Sequence, residues 1–430
     1  MQINFKMLPI QEKAFARESN VRSYCRTFPD VFHTAKNAQI SGENGRVYID
    51  FLAGAGSLNY GHNNPVIKQK ILAYIEGDNV TQSLDLHTEA KADFISSFVD
   101  TVLKPRGLDY KFQFTGPTGT NAVEAALKLA RLAKGRATIG AFSNAFHGMS
   151  LGALAASGNA DKRAGAGVSL DNVAFFPYDG YLGPEADSIA YIDRQLNDPS
   201  SGVMKPAAFI VETVQGEGGL NVASMDWLRR LCAMARRNDV LVIIDDIQAG
   251  CGRTGSFFSF DAAEIRPDIV CLSKSLSGYG LPMSMILLSP ELDVWKPGQH
   301  NGTFRGNNLA FTAATAALSF WKDPSFVSSV QRRSMQLQHW LQAQSDHYGK
   351  DQIVTRQRGL FAGIEFADGA LAEATSQAAF KRGVIIETCG ARDQVLKFLP
   401  PLTIEQSIFS DGLDRVAEAL SMVMERACKI

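Results

Sequence analysis

Between residues 110 and 290 the chain repeats one pattern, a short apolar run followed by a stretch in which apolar positions recur at helical spacing. Tyr110–Thr115 reads as a strand, and Thr120–Lys134 follows with Ala122, Val123, Ala126, Leu127 and Ala130 on one helical face. Ala208–Glu212 is another short strand. Ser224 can cap a helix reaching about Asn238, and Val240–Ile244 then contains only Val, Leu and Ile. Ile269–Ser273 and Met283–Leu288 close the series. A strand that is apolar at every position has both faces covered, and helices between strands permit parallel crossovers. The pattern predicts an α/β protein built on a mostly parallel sheet.

The C-terminal third reads differently. Pro324 to Tyr348 is a long amphipathic helix, and Gly359–Phe366 and Val395–Phe398 are short strands around a helix near Leu371–Arg382. These predict a smaller α+β domain. The first fifty residues are irregular apart from a hairpin strand at Arg46–Phe51. The expected division is an N-terminal packing segment over 1–50, a large domain over 51–320 and a small one over 321–430. A chain of 430 residues with 45% hydrophobic content has the apolar material for such cores.

Lys and Arg total 43 against 44 Asp and Glu, a net charge of −1 that gives no pull toward nucleic acid or an anionic membrane. No apolar run approaches the ~20 residues of a membrane span, and Met1–Lys13 lacks a signal-peptide core. The six cysteines form no C-x-x-C pair, so neither a metal site nor a redox dithiol is suggested. A cytoplasmic protein without a bound metal is expected.

Gly148-Met149-Ser150-Leu151-Gly152 matches the G-x-S-x-G nucleophile elbow, which requires a strand before it. Ser143-Asn144-Ala145-Phe146-His147 is a poor one. G-x-x-x-x-G-K-[ST] does not occur. Thr115-Gly116-Pro117-Thr118-Gly119-Thr120 joins a strand to a helix, where small residues and free amides can hold an anion or merely ease a tight turn. Asp245 ends the most apolar strand, where α/β folds bind ligands, although it could equally cap the next element. A buried carboxylate there wants a cationic or N–H partner. Lys274 follows Ile269-Val270-Cys271-Leu272, and partial desolvation at that edge would make a lysine nucleophilic. Together an anion cradle, an acid and a lysine meet the needs of pyridoxal 5′-phosphate (PLP) for its phosphate, its ring nitrogen and its aldehyde. Phe146 could supply the flat face on which the ring stacks.

At these residues the sequence resembles the class III (ω-amino acid) aminotransferases, PLP enzymes of fold type I. The resemblance runs from about Phe28 to Arg426. It rests on Tyr48-Ile49-Asp50-Phe51 with Gly61-His62, Gly119-Thr120, Phe146-His147-Gly148, Glu212-Thr213-Val214-Gln215-Gly216-Glu217-Gly218-Gly219, Asp245-Asp246-Ile247-Gln248, Lys274 and Thr303. It implies a large domain on a mostly parallel seven-stranded sheet with a smaller α+β domain. Lys274 would form the Schiff base and shuttle the proton, Asp245 would pair the pyridinium, and Gln248 would sit at the ring hydroxyl. Thr118, Gly119 and Thr120 would hold the phosphate, and Phe146 would stack on the ring. Thr303 would reach the phosphate of a neighbouring subunit, implying a homodimer with shared sites or a tetramer of such dimers. Glu217 would act as a gate, pairing with a basic residue when a non-carboxylate amine is bound. The implied partners are a small-molecule amino donor and an aldehyde or keto-acid acceptor.

Four positions depart from the family pattern. Asp246 stands where Glu is common, and Met149 where several relatives have an arginine for the distal carboxylate. Lys397 stands where many carry the arginine that clamps the α-carboxylate, and Arg305 where glycine is frequent. The resemblance thus assigns Arg305 and Lys397 together to replace the altered carboxylate anchors. Cys271 to Met283, His300 to Asn308 and Gly116 to Glu124 resemble one branch of the family more closely still. Alternatives are ω-aminotransferases acting on ornithine, 4-aminobutyrate or a polyamine, a PLP aminomutase or decarboxylase, and a PLP-dependent regulator. The regulator would need a basic DNA-binding helix pair, which neither end of the sequence offers.

Overall fold

The structure, a computed structural model, describes residues 14–427. The start of the expected N-terminal packing segment, the region read for a leader, and Cys428 lie outside the described residues. The central sheet has seven strands in the order Lys111–Phe114, Met285–Leu288, Ile269–Leu272, Leu241–Asp245, Ala208–Val211, Ile139–Phe142, Val173–Phe176. Only Met285–Leu288 runs against its neighbours. The α/β reading therefore holds, with a mostly parallel sheet covered on both faces.

Two strands of this sheet went unread in the sequence. Ile139–Phe142 contains Gly140, which weakens a strand signal, but a Cβ there would stand 2.5 Å from the Phe209 ring. The glycine admits a neighbouring aromatic to the sheet face. Val173–Phe176 is an edge strand whose half-exposed residues lack a continuous apolar run. The helix Gly119–Lys134 crosses the sheet diagonally. Its buried residues Ala122, Val123, Ala126 and Leu129 share a core with Ile210, Ile243, Cys271 and Ile286 from four different strands. That crossing delivers the helix N-terminus to the carboxyl ends of the central strands.

A second, antiparallel sheet has the order Ile353–Arg358, Phe361–Phe366, Val395–Phe398, Glu387–Cys389. Its helices are Pro324–Tyr348, Gly369–Lys381 and Gln406–Ala427, the last unread in the sequence. A third sheet joins the chain's two halves, because Val384–Ile385 pairs parallel with Ile49 and Asp50. No helix among the described residues is long and apolar enough to cross a membrane.

Arg253 locks this arrangement around the central strand's carboxyl end. It is fully buried, donating from Nη1 to the Leu360 carbonyl at 3.1 Å and the Pro400 carbonyl at 2.6 Å, and from Nη2 to Asn59 Oδ1 at 2.6 Å. Asn59 in turn donates to the Cys251 carbonyl at 2.9 Å. Burial lowers the guanidinium pKa to about 9, with Asp50 opposing the shift, so the cation persists at neutral pH; Nη1 and Nη2 are committed, and Nε is buried without a partner. Arg253→Met would strand those acceptors without a donor and should cost about 3 kcal/mol of stability. Urea denaturation checks this, and a loss below about 1 kcal/mol would contradict the role given to Arg253.

Candidate active site

Three elements converge where the central strands end. The strand Leu241–Asp245 delivers Asp245, while Ile269–Leu272 exits through Ser273 into Lys274. Lys274 adopts φ +48°, a left-handed conformation that a lysine takes only when its surroundings impose it. Here the neighbours impose it. Ser273 donates to the Met283 carbonyl at 2.9 Å, and Ser275 donates to the Gly56 carbonyl at 2.8 Å and accepts from the Asn59 amide at 3.0 Å. The third element is the start of the helix Gly119–Lys134. Asn121 Oδ1 accepts from the Thr118 amide and hydroxyl at 3.2 and 2.8 Å, and the Asn121 amide donates to the Thr118 carbonyl at 3.0 Å, while the Gly119 and Thr120 amides have no acceptor within the helix. A Cβ on Gly119 would meet Ile247 at 3.1 Å, so a larger residue would push Ile247 back by a few tenths of an ångström.

Together these surfaces enclose a cavity of about 170 Å3 lined by Gly119, Thr120, Phe146, His147, Asp245, Gln248, Lys274 and others. Ser150, the serine of the apparent nucleophile elbow, is engaged elsewhere. Its hydroxyl donates to Glu124 at 2.6 Å and lies 2.5 Å from that of Thr120. It caps a short helix and has no histidine partner.

Asp245 holds the turn that follows it and a second residue as well. One oxygen accepts from His147 Nδ1 at 2.7 Å and the other from the Ile247 amide at 3.2 Å. Burial disfavours the charged imidazole, but the hydrogen bond and charge of Asp245, with Glu212 nearby, raise the His147 pKa above its ordinary value. His147 Nε2 is buried without a partner. Glu212, which accepts from the Phe146 amide at 3.0 Å, is pushed up to about 8 by burial, opposed by His147. Asp246 lies behind the cavity, bound by the Ser259 amide and hydroxyl, and burial raises it to about 7.

Lys274 is depressed by desolvation, with Glu217 opposing the shift and Lys397 adding to it. Lys397 has no exposed surface and lies 2.7 Å from Glu217 Oε1 and 2.9 Å from Glu387 Oε1. Burial opposes its charge, but the two carboxylates hold it well above the ordinary lysine value. Glu217 pays back the other way: burial would raise it, yet Lys397 and Lys274 bring it down to about 2. Gln248 joins the group, donating to Glu217 at 3.2 Å and to the Ala55 carbonyl at 3.1 Å.

Of the residues singled out in the sequence, Gly119, Thr120, Phe146, Asp245, Gln248, Lys274 and Glu217 line this cavity. Thr118 caps the helix beside it, and Lys397 lies behind Glu217. Thr303 and Arg305 are not brought there within one chain. Thr303 is exposed, its carbonyl taking a bond from Gln82 at 2.5 Å. Arg305 pairs with Asp85 and donates to the His300 carbonyl at 3.0 Å beside a separate cavity. Sequence reasoning missed Glu387, although a glutamate inside the apolar run Val384 to Cys389 is itself a signal. It missed Tyr24, which donates to Glu387 at 3.2 Å, and the pairing of His147 with Asp245.

The model of the family "Aminotransferase class-III" matches residues 23–420. The diaminobutyrate–2-oxoglutarate transaminase of Bordetella parapertussis is 56% identical over 95% of this chain and 96% of that one. That of Vibrio parahaemolyticus is 53% identical over 96% and 98%. Among solved structures, an ornithine aminotransferase from Toxoplasma gondii, with PLP at partial occupancy in its active site, aligns with TM-score 0.82 and 28% identity over 97% of this chain and 95% of that one.

Lys397→Met should expose the electrostatics of this group. It leaves Glu217 and Glu387 buried without their cation, at a cost of about 3 kcal/mol near pH 8. Wild-type Glu217, depressed to about 2, contributes stability that is complete above the unfolded value of 4.5 and lost only as pH falls toward 2. In the variant the carboxylates are raised instead and take up protons as pH falls. The stability deficit should therefore shrink between pH 8 and pH 5. A deficit that stays constant across that range, by chemical denaturation, would refute the pairing.

Proposed function

The chain belongs to the class III aminotransferases, whose cofactor is PLP, and from that premise we propose that it moves an amino group between L-glutamate and L-aspartate 4-semialdehyde. The products are 2-oxoglutarate and L-2,4-diaminobutyrate, and the pathway served is ectoine biosynthesis. The observation that carries this reading is the Glu217–Lys397 pair, 2.7 Å apart, beside Lys274. An enzyme of this kind must accept glutamate, whose reacting carbon carries a carboxylate, and diaminobutyrate reacting at C4, which carries none. A buried cation that can exchange Glu217 for a substrate carboxylate serves both.

The cavity suits the cofactor. It offers a helix N-terminus approached closely at Gly119, an acid at Asp245 and an amine at Lys274, all on its walls. Thr118, Gly119 and Thr120 would hold the phosphate, Asp245 the ring nitrogen, Gln248 the ring hydroxyl, and Phe146 the ring face. When bound, PLP supplies a carbonyl that condenses with amines and a ring that accepts the electrons left when Cα loses its proton.

The chain's own residues would do the rest. Lys274 Nζ, depressed by desolvation, is poised to lose its proton and then carry one from the substrate carbon. His147 orients Asp245 through Nδ1 and stabilises its negative charge. Glu217 stays on Lys397 for the diamine and moves aside for glutamate. Glu387 then keeps the buried Lys397 from losing every counter-ion, which would be costly. Thr303 would contribute to a neighbouring subunit's phosphate site in a homodimer, or in a tetramer of dimers. Arg305, on the same loop, would act with Lys397 on the carboxylates from that neighbouring position. The cytoplasm is the proposed location.

Adding glutamate to the holoenzyme should bleach the visible absorbance of the lysine-bound cofactor, and aspartate semialdehyde should restore it. Bleaching without recovery would discard the semialdehyde while keeping the amino donor. Lys274→Ala should lose at least about a thousandfold in kcat while retaining bound PLP. Steady turnover by that variant would remove Lys274 from its role.

A further inference from the structure

A second cavity of about 240 Å3 adjoins that of Lys274, and Phe146 and Glu217 line both. Lys274 is the only Lys or Arg lining the first, and Lys162 the only one lining the second. Among the described residues Lys162 has no ion-pair partner; its Nζ sits 4.4 Å from the centroid of the Phe146 ring. A cation over a ring face is attracted to it but keeps donors free for an anion. Its charge also helps to hold Glu217 ionised, so it lies within electrostatic reach of the gate. The backbone beneath it is fixed. Asn159 Oδ1 accepts from the Lys162 amide at 3.0 Å, and Arg163 Nη1 donates to the carbonyls of Leu154, Ala155 and Ser157 at 3.2, 2.8 and 2.9 Å.

We propose that Lys162 anchors the substrate carboxylate remote from the reacting carbon. The proposal rests on the function given above and names a residue for its second carboxylate. In L-glutamate reacting at Cα, the side-chain carboxyl carbon lies three bonds away. In L-2,4-diaminobutyrate reacting at C4, the C1 carboxyl carbon also lies three bonds away. One cation at that distance therefore serves both half-reactions, whereas Lys397 serves glutamate alone. Met149 is exposed and uncharged, so it cannot do this. Lys162 belongs to the same chain as Lys274 and faces the cavity contiguous with it.

The test is Lys162→Met in the holoenzyme, with Lys162→Arg as the charge-preserving control. Expected for Lys162→Met is a rise of about tenfold or more in KM for both glutamate and diaminobutyrate, with kcat within about threefold. 2-Aminobutyrate, an α-amino acid without a distal carboxylate, should react as with wild type, and the cofactor absorbance should not change. Lys162→Arg should recover most of the loss. Glutarate, which does not react, should bind Lys162→Met about tenfold more weakly by calorimetry.

The proposal is overturned if glutamate KM stays within about twofold of wild type. It is equally overturned if 2-aminobutyrate suffers as much as glutamate, which would mark a structural role. Failure of wild type to act on diaminobutyrate would instead sink the substrate reading, and glutamate against 2-aminobutyrate would still decide Lys162.

Discussion

Lys397 is a cation without access to water, and the geometry of the site follows from that. A buried ammonium is tolerated only where carboxylates and hydrogen bonds replace its hydration. Two elements supply them. Glu217 comes from the hairpin that follows the strand Ala208–Val211 of the large sheet, and Glu387 from the strand directly opposite Lys397 in the small one. The ion group therefore joins the two sheets. Through Gln248 it extends to the backbone at Ala55, and through Tyr24 to the start of the described chain. Arg253 repeats the device a short distance away, with carbonyls in place of carboxylates.

The same accounting explains the other wall. Asp245 and Glu212 are both buried near His147, and a single imidazole cannot neutralise both at full charge. The structure resolves this by geometry. His147 binds Asp245 directly, whereas Glu212 accepts one backbone amide and is driven toward its protonated form near neutral pH. Asp246, also raised, faces away from the cavity onto Ser259. On this wall Asp245 is thus the carboxylate that faces the cavity, at the end of the most apolar strand in the chain.

Much of this was legible in the sequence because it depends on local pattern. Val240–Ile244 announces a buried strand, and a strand of that kind fixes where Asp245 must lie. The same argument placed Lys274 after Ile269–Leu272. What could not be read depends on register and on loops. Glu387 and Lys397 meet only because Glu387–Cys389 and Val395–Phe398 pair in one particular antiparallel register. Gly140 looks like a strand breaker until Phe209 is placed against it. His147 finds Asp245 at a sequence separation of 98 by way of a loop whose course no periodicity encodes. Thr303 and Arg305 carry the reverse lesson, since motif order groups them with the site and the single chain holds them apart from it.

The choice of lysine over arginine at 397 has a physical consequence of its own. A guanidinium presents a planar fork that matches one carboxylate in a bidentate pair. An ammonium is a point charge with three donors that can be shared among separate acceptors. At 2.7 and 2.9 Å from two different carboxylates, Lys397 uses that property. One partner can leave while the other stays, so exchanging an incoming carboxylate for Glu217 never requires a bare buried cation. An arginine bound edge-on to a single glutamate would lose both of its hydrogen bonds at once. In the proposed switch, lysine at this position, with Glu387 facing it, would lower the cost of switching rather than strengthen the closed state, and a site that alternates between two kinds of substrate would gain more from the first.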